Sequence, residues 1–296
     1  MNKLLVITIT AIVLSSCKGH KNEYDASGTF EAVETIVSAE ATGLIKELNL
    51  EEGQDLTPGA VVGYIDSLQL YLKKKQLEAQ VKAVLSRMPD TQAQLAAMEE
   101  QLKQAEHEQK RISNLVKADA GTQKQLDDVN AQISILKKQI EAQRSALGIT
   151  SGGLNEETVP LKIQIEQIED QLHKCRIVSP VRGTVLSKYA ESNEMTMSGK
   201  PLFKVADMSW IILRAYLTGD QFSTVKIGQP VTVLVDANKG EYKKYEGKLE
   251  WISNKAEFTP KTIQTKDERA NLVYAVKIKV KNDGQLKIGM YGEVKF

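Results

Sequence analysis

The residues able to do chemistry are present in this chain but not gathered. Three histidines, His20, His107 and His173, stand far apart and share no metal-ligand spacing. Glu99-Glu100 and Asp127-Asp128 are adjacent carboxylates, yet apolar residues at helical spacing surround both. They read as solvated charge on a helix rather than as a general acid and base. Lys73-Lys74-Lys75 also lies in helical sequence and reads as a solvated face. No nucleophile elbow, phosphate-binding loop or metal cluster is found. The expectation is a protein that recognises and positions, with no enzymatic activity, cofactor or metal.

The elements that would do the positioning begin with a split repeat. AEATGLIKELNLEEGQDLTPGAVVGYID (39–66) and SPVRGTVLSKYAESNEMTMSGKPLFKVAD (179–207) match at an offset of 140 positions. Gly43 pairs with Gly183, Gly59 with Gly199, Ile45 with Val185, Val62 with Leu202 and Ile65 with Val205. One small β-domain is thus cut in half by a long excursion rich in Gln, Lys and Glu.

That excursion has helical periodicity. Leu95, Met98, Leu102, Ala105, Gln109, Ile112 and Val116 are spaced 3-4, and so are Leu126, Val129, Ile133, Leu136, Ile140, Gln143 and Leu147. So narrow an apolar seam needs a partner helix, and the neighbouring arm supplies it. The turn is expected at 117–122, with Gly121 ending the first arm and Thr122 and Gln125 forming a capping box for the second. The seam continues through Leu77, Val81, Val84 and Met88 on one side, and Leu161, Ile165, Ile168, Leu172 and Cys175 on the other. Two breaks are expected at one level of the stalk. One is at 88–90, where Pro89 forbids continuation, and the other at 148–160, which holds Gly152-Gly153 and Pro160. Cys175 reads as a small buried hydrophobe.

Beyond Asp207 the period becomes alternating. Ile211, Leu213, Ala215 and Leu217 share one face, as do Val231, Val233 and Val235. Leu249 and Trp251 mark a further strand, and Leu272, Tyr274, Val276, Ile278 and Val280 another. Turn signals at 228–230, 238–240 and 282–284 separate them, which suggests a small antiparallel barrel. A short helix is expected at 220–227.

The first residues read as a processing signal. Lys3 precedes the apolar run LLVITITAIVL (4–14), whose 11 residues are too few for a span of about 20. Leu14-Ser15-Ser16-Cys17 then resembles a bacterial lipobox, which implies cleavage before Cys17 and acylation of its thiol. An ordinary secretory leader is the other reading. Multiple acyl chains on Cys17 would hold the protein on a membrane without a spanning helix. Residues 18–27 read as a flexible tether. The formal charge is +1, so there is no basic surplus to neutralise phosphates, and a nucleic-acid partner is disfavoured.

Together, EEGQDLTPGAVVGYID, IVSPVRGTVL, GQPVTVLVDA, EFTPKTIQTKDER (257–269) and LKIGMYGEV (286–294) make the chain resemble the periplasmic adaptor proteins, or membrane fusion proteins, of the HlyD family. The resemblance covers nearly the whole mature chain. It implies a multidomain α+β fold: a split lipoyl-like (biotinyl-like) β-sandwich, a long antiparallel α-helical coiled-coil hairpin and a C-terminal antiparallel β-barrel. The expected divisions are a signal peptide (1–16), a tether (17–27), an N-terminal strand with the first lipoyl-like half (28–66), a hairpin (67–174), the second half (175–206) and a barrel (207–296). The family's modified-lysine turn is replaced here by the hairpin.

The resemblance also implies partners. These are an inner-membrane transporter, ABC-type rather than RND-type given the EFTPK-like stretch and the end at Phe296, a TolC-like outer-membrane channel, and further copies of the chain in a hexamer. It places the protein in the periplasm as a membrane-anchored lipoprotein, on the inner membrane rather than the outer. At the hairpin tip the family's Arg, Leu and Ser contacts to the channel correspond to Arg111, Leu115 and Thr122, Thr standing for Ser. The same residues also read as a solvated helix position, a seam flank and a cap. A non-transport envelope lipoprotein using the hairpin as a spacer or docking arm is the alternative function.

Overall fold

The computed structural model describes residues 24–237, 241–258 and 272–296. The leader, Cys17, most of the tether, the turn at 238–240 and most of 257–269 lie outside the described residues.

The split repeat folds as two four-stranded sheets, and each sheet draws on both halves. The first half supplies β2 (Glu34–Ser38), β3 (Gly43–Leu48), β4 (Asp55–Leu56) and β5 (Val61–Ile65). The second supplies β6 (Arg176–Val178), β7 (Gly183–Lys188), β8 (Met195–Thr196) and β9 (Pro201–Ala206). Strand order is β2-β9-β7-β4 in one sheet and β6-β5-β3-β8 in the other. Neither half closes a sheet alone. Ile45, Ile65, Val185, Leu202, Phe203 and Val205 form the shared core. The halves even repeat their turns. Gly59 and Gly199 both adopt positive φ, and each donates its N–H across to the other half, to Ser179 and Ala39. Only glycine takes that backbone without strain.

Helices α1 (Leu68–Leu85), α2 (Thr91–Lys117) and α3 (Gln123–Lys174) form the excursion. α1 and α2 both pack along α3 as one antiparallel hairpin. Leu95, Ile140 and Leu147 bury the seam between α2 and α3, with Met98 and Leu102 beside them. Ion pairs Lys74–Glu169 (2.6 Å), Arg144–Glu99 (3.0 Å) and Lys137–Glu106 (3.1 Å) tie the arms in one register. At 52 residues and 1.5 Å rise, α3 is about 78 Å long.

The first break is present. α1 ends at Leu85, and Asp90 caps α2 by accepting from the Ala93 N–H at 3.0 Å. The second is not, because α3 runs unbroken through 148–160 with Pro160 inside it. The reason is that the seam never loses its partner. Leu147, Ser151, Leu154, Thr158 and Leu161, at 4-3-4-3 spacing, are all buried or partly buried. The step of four from Leu147 to Ser151 follows another from Gln143 to Leu147. Such a doubled four is a stutter, a four-residue insertion that locally unwinds the hairpin. Packing at these positions outweighs the propensity cost of Pro and Gly. Arg87, in the break, reaches across to Glu157 at 2.7 Å. Cβ atoms built at Gly152 and Gly153 meet nothing within 4 Å. Gly152→Ala and Gly153→Ala are therefore expected to raise stability by about 0.8–1 kcal/mol each, read from denaturant midpoints.

The barrel closes with six strands, in the order β10-β1-β15-β11-β12-β14, with β14 pairing back onto β10. These are β1 (Ala26–Glu31), β10 (Trp210–Thr218), β11 (Pro230–Asp236), β12 (Tyr242–Ile252), β14 (Leu272–Lys281) and β15 (Tyr291–Lys295), with β13 (Glu257–Phe258) added beside β14. One strand thus comes from the N-terminus. β1 belongs to the barrel and not to the lipoyl-like half, because its alternating Ala26 and Phe30 face a core of Leu213, Val233, Ile278 and Val294. Leu249 joins that core, whereas Trp251 is exposed, because β12 shifts register between these two residues. The helix expected at 220–227 is a shorter 3-10 turn, Gln221–Thr224.

Candidate functional site

The helix ends at the hairpin tip are fixed by hydrogen bonds that the local sequence dictates. α2 closes with Ala120 N–H donating to the Leu115 carbonyl at 2.9 Å and Asp119 N–H to the Val116 carbonyl at 3.1 Å. This is a Schellman closure, and its left-handed residue is Asp119 (φ 56°), not the expected Gly121. Gly121 instead permits a close approach, since a Cβ there would lie 3.2 Å from the Leu115 Cβ and the Val116 N. α3 starts with a full capping box. Thr122 Oγ1 accepts from Gln125 N–H at 3.3 Å, and Gln125 Oε1 accepts from Thr122 N–H at 3.0 Å.

Of the three tip residues singled out in the sequence, two present side chains to solvent on one face of α2. Arg111 is exposed, and Leu115, one turn on, is 38% exposed. Thr122 sits across the turn with its hydroxyl committed to the cap. Glu108 holds the Arg111 guanidinium by two bonds, Nη2 to Oε1 at 2.5 Å and Nε to Oε2 at 2.9 Å. That side-chain hydrogen bond lowers the Glu108 carboxyl from its usual range and raises Arg111. A lowered carboxyl favours the folded form above the ordinary carboxylate range and loses that effect as acid protonates it. The fork therefore stays formed at neutral pH and loosens only in acid. Glu108 was not legible as a tip residue, although its i, i+3 spacing to Arg111 is the signal that finds it.

The other reactive groups do not converge. Glu99 pairs with Arg144, Glu100 with Lys103, and Asp127 accepts from Gln123. Lys74 bridges Glu169 and Glu78, while Lys75 lies over the Tyr71 ring. Cys175 is the C-cap of α3 and is buried in the lipoyl-like core, where desolvation raises its thiol pKa and the Asp66 charge adds to the rise. Among the described residues no three His, Cys, Asp or Glu side chains are grouped to hold a metal.

No protein-family model matches the chain. A UPF0194 membrane protein of Yersinia pseudotuberculosis is 24% identical over 324 aligned residues, covering 99% of this chain and 96% of the relative. A UPF0194 membrane protein of Enterobacter sp. is 33% identical over a shorter stretch, 43% of this chain and 38% of the relative. Among solved structures, MacA of Actinobacillus actinomycetemcomitans superposes with a TM-score of 0.54 at 24% identity, covering 91% of this chain and 76% of that one. A MacA–MexA chimera carrying the Pseudomonas aeruginosa MexA α-hairpin gives 0.50 at 24% identity, covering 91% of this chain and 78% of that one. A lipoyl-like sandwich interrupted by a helical hairpin and followed by a closed barrel is thus the fold of the membrane fusion, or periplasmic adaptor, proteins.

Proposed function

We propose that this chain is the adaptor subunit of an export machine, bridging an inner-membrane transporter to a TolC-like outer-membrane channel. The observation that carries the reading is an arm with nothing catalytic along it. About 78 Å of helix separates a small β-domain from a tip where Arg111 and Leu115 are exposed side by side. Arg111 offers a planar fork of donors suited to carboxylates and carbonyls, already oriented by Glu108. Leu115 offers an apolar anchor. No bond is made or broken, and the work is to hold two membrane proteins in line. Adaptors of this fold act in tripartite efflux and secretion, and an ABC-type transporter is our reading of this chain's partner. Self-association into a ring, a hexamer in our reading, would turn single rods into a conduit.

The relatives' name, membrane protein, supports an envelope location. A lipid on Cys17, placed in the inner membrane, would hold the chain there. Mild crosslinking in cells followed by affinity purification tests the reading. A transporter and an outer-membrane channel should co-purify, and capture of neither would refute the bridge.

A further inference from the structure

The barrel has two ends, and the strand order assigns them. β1 leaves toward β2 at Glu31, and β10 enters from β9 at Trp210, so this end faces the lipoyl-like domain. The opposite mouth holds Asp25, Thr218 and the start of β14. Phe296 N–H donates there to Asp25 Oδ2 at 2.8 Å, and Gln221 donates to the Asp25 carbonyl at 2.6 Å. The chain therefore enters the barrel from the N-terminal side at the end farthest from the stalk.

Around the polar cap formed by Asp25, Thr218 and Gln221, that mouth carries exposed apolar side chains. Phe258, 82% exposed, pairs directly across the strands with Leu272, 54% exposed, so the two share a face. Tyr274 follows Leu272 on the same face, and Phe222, 42% exposed, packs against it with the rings tilted by 43° and their centroids 5.0 Å apart. Ile227, 65% exposed, lies on the same β10-to-β11 connection as Phe222. Alternation alone puts Leu272 and Tyr274 in a strand interior. Both keep the inward phase, but only Tyr274, half-buried opposite core Leu217, still reaches the core, whereas Leu272 at the strand start lies beyond it and is exposed.

We infer that this mouth docks onto the surface of a phospholipid bilayer. The length of chain upstream selects this occupant. Only seven residues, 18–24, separate Cys17 from Asp25, eight Cα-to-Cα steps with a reach of at most about 29 Å. The inference rests on the reading of Cys17 as lipid-modified. With that anchor, the mouth is the part of the barrel held nearest the membrane. Tethering makes the second contact intramolecular, so a few exposed aromatic and aliphatic side chains suffice to seat it. Aromatic side chains with one apolar and one polar end suit the interface, and Tyr274 beside Phe222 and Phe258 supplies that mixture. Seating this end on the membrane would also aim the stalk away from it.

The test uses the full-length acylated chain in vesicles of phosphatidylethanolamine and phosphatidylglycerol containing doxyl-labelled lipid. A fluorophore is attached to Lys255→Cys, an exposed position on the connection from β12 to β13 at this mouth. A control is attached to Gln123→Cys at the hairpin tip, and the native Cys175 is buried away from the reagent. The mouth label should be quenched by the lipid and the tip label should not. Phe222→Ser, Phe258→Ser and Leu272→Ser together should reduce mouth quenching to the tip level without lowering the thermal unfolding midpoint. Equal quenching at mouth and tip, with Cys17 acylated by mass spectrometry, overturns the docking and assigns the patch to a protein partner. An unmodified Cys17 overturns it by removing the anchor itself.

Discussion

Arg111→Asp combined with Leu115→Ser is expected to abolish channel docking and export while leaving the thermal unfolding midpoint unchanged. Both side chains face solvent, and neither belongs to the buried seam of Leu95, Ile140 and Leu147. Among the described residues the hydrogen bonds of Arg111 go to Glu108 on its own helix, so losing it removes no ion pair between the arms. The capping box at Thr122 and Gln125 is untouched. Two central anchors lost from one interface weaken docking by at least about a hundredfold. The measurement is export in cells beside unfolding of the purified variant. Full export by a folded variant would remove the tip from the interface. A lowered unfolding midpoint would show instead that the two residues hold the tip together.

Gly28→Val is expected to have the largest effect on the fold. β1 is the strand that closes the barrel between β10 and β15. Any Cβ at Gly28 would lie 1.8 Å from the Arg214 carbonyl oxygen and 2.6 Å from the Ala215 Cα. Those atoms are backbone and cannot swing aside, so the strand must move. The expected cost is about 3 kcal/mol or more, above the usual range for overpacking because the obstacle is main chain. Hydrogen exchange should show β10 and β15 losing protection while the hairpin keeps its own. An unchanged denaturant midpoint would mean that β1 is not seated where Gly28 meets Arg214.

The split domain was legible because its evidence is internal. Gly59 and Gly199 repeat one backbone requirement, and Ile45 and Val185 repeat one core position, so matching the halves needs no knowledge of the fold. The hairpin seam was legible for the same reason, since Leu95 to Val116 and Leu126 to Leu147 carry matching periods. The continuity of α3 was not. Gly152, Gly153 and Pro160 are strong local breakers, whereas the seam that overrides them passes through Ser151 and Thr158, which do not look apolar. Thr158 is nonetheless fully buried, its hydroxyl donating to the Asn155 carbonyl at 2.7 Å.

β1 failed to show its domain for a different reason. Its partners Arg214 and Ala215 lie far along the chain, and alternation reports a buried face without naming the sheet that buries it. At the tip, Arg111 and Leu115 are singled out by the family resemblance, since their spacing alone also fits a solvated helix position and a seam flank. Asp119 does not stand out as the helix terminator, because Gly121 is the commoner choice, yet Asp also tolerates the left-handed region. The barrel mouth was invisible, since Phe222, Phe258 and Leu272 read as ordinary strand and turn residues until the topology brings them together.

Small-angle X-ray scattering of the purified, monomeric chain tests the central claim, that a rigid helical arm projects from a β-domain assembled from two distant halves. A compact globule of 296 residues has a radius of gyration of about 19 Å. An arm about 78 Å long on top of the β-domains requires a radius well above that and a maximum dimension beyond the arm itself. A radius near the compact value, with a symmetric distance distribution, would contradict it.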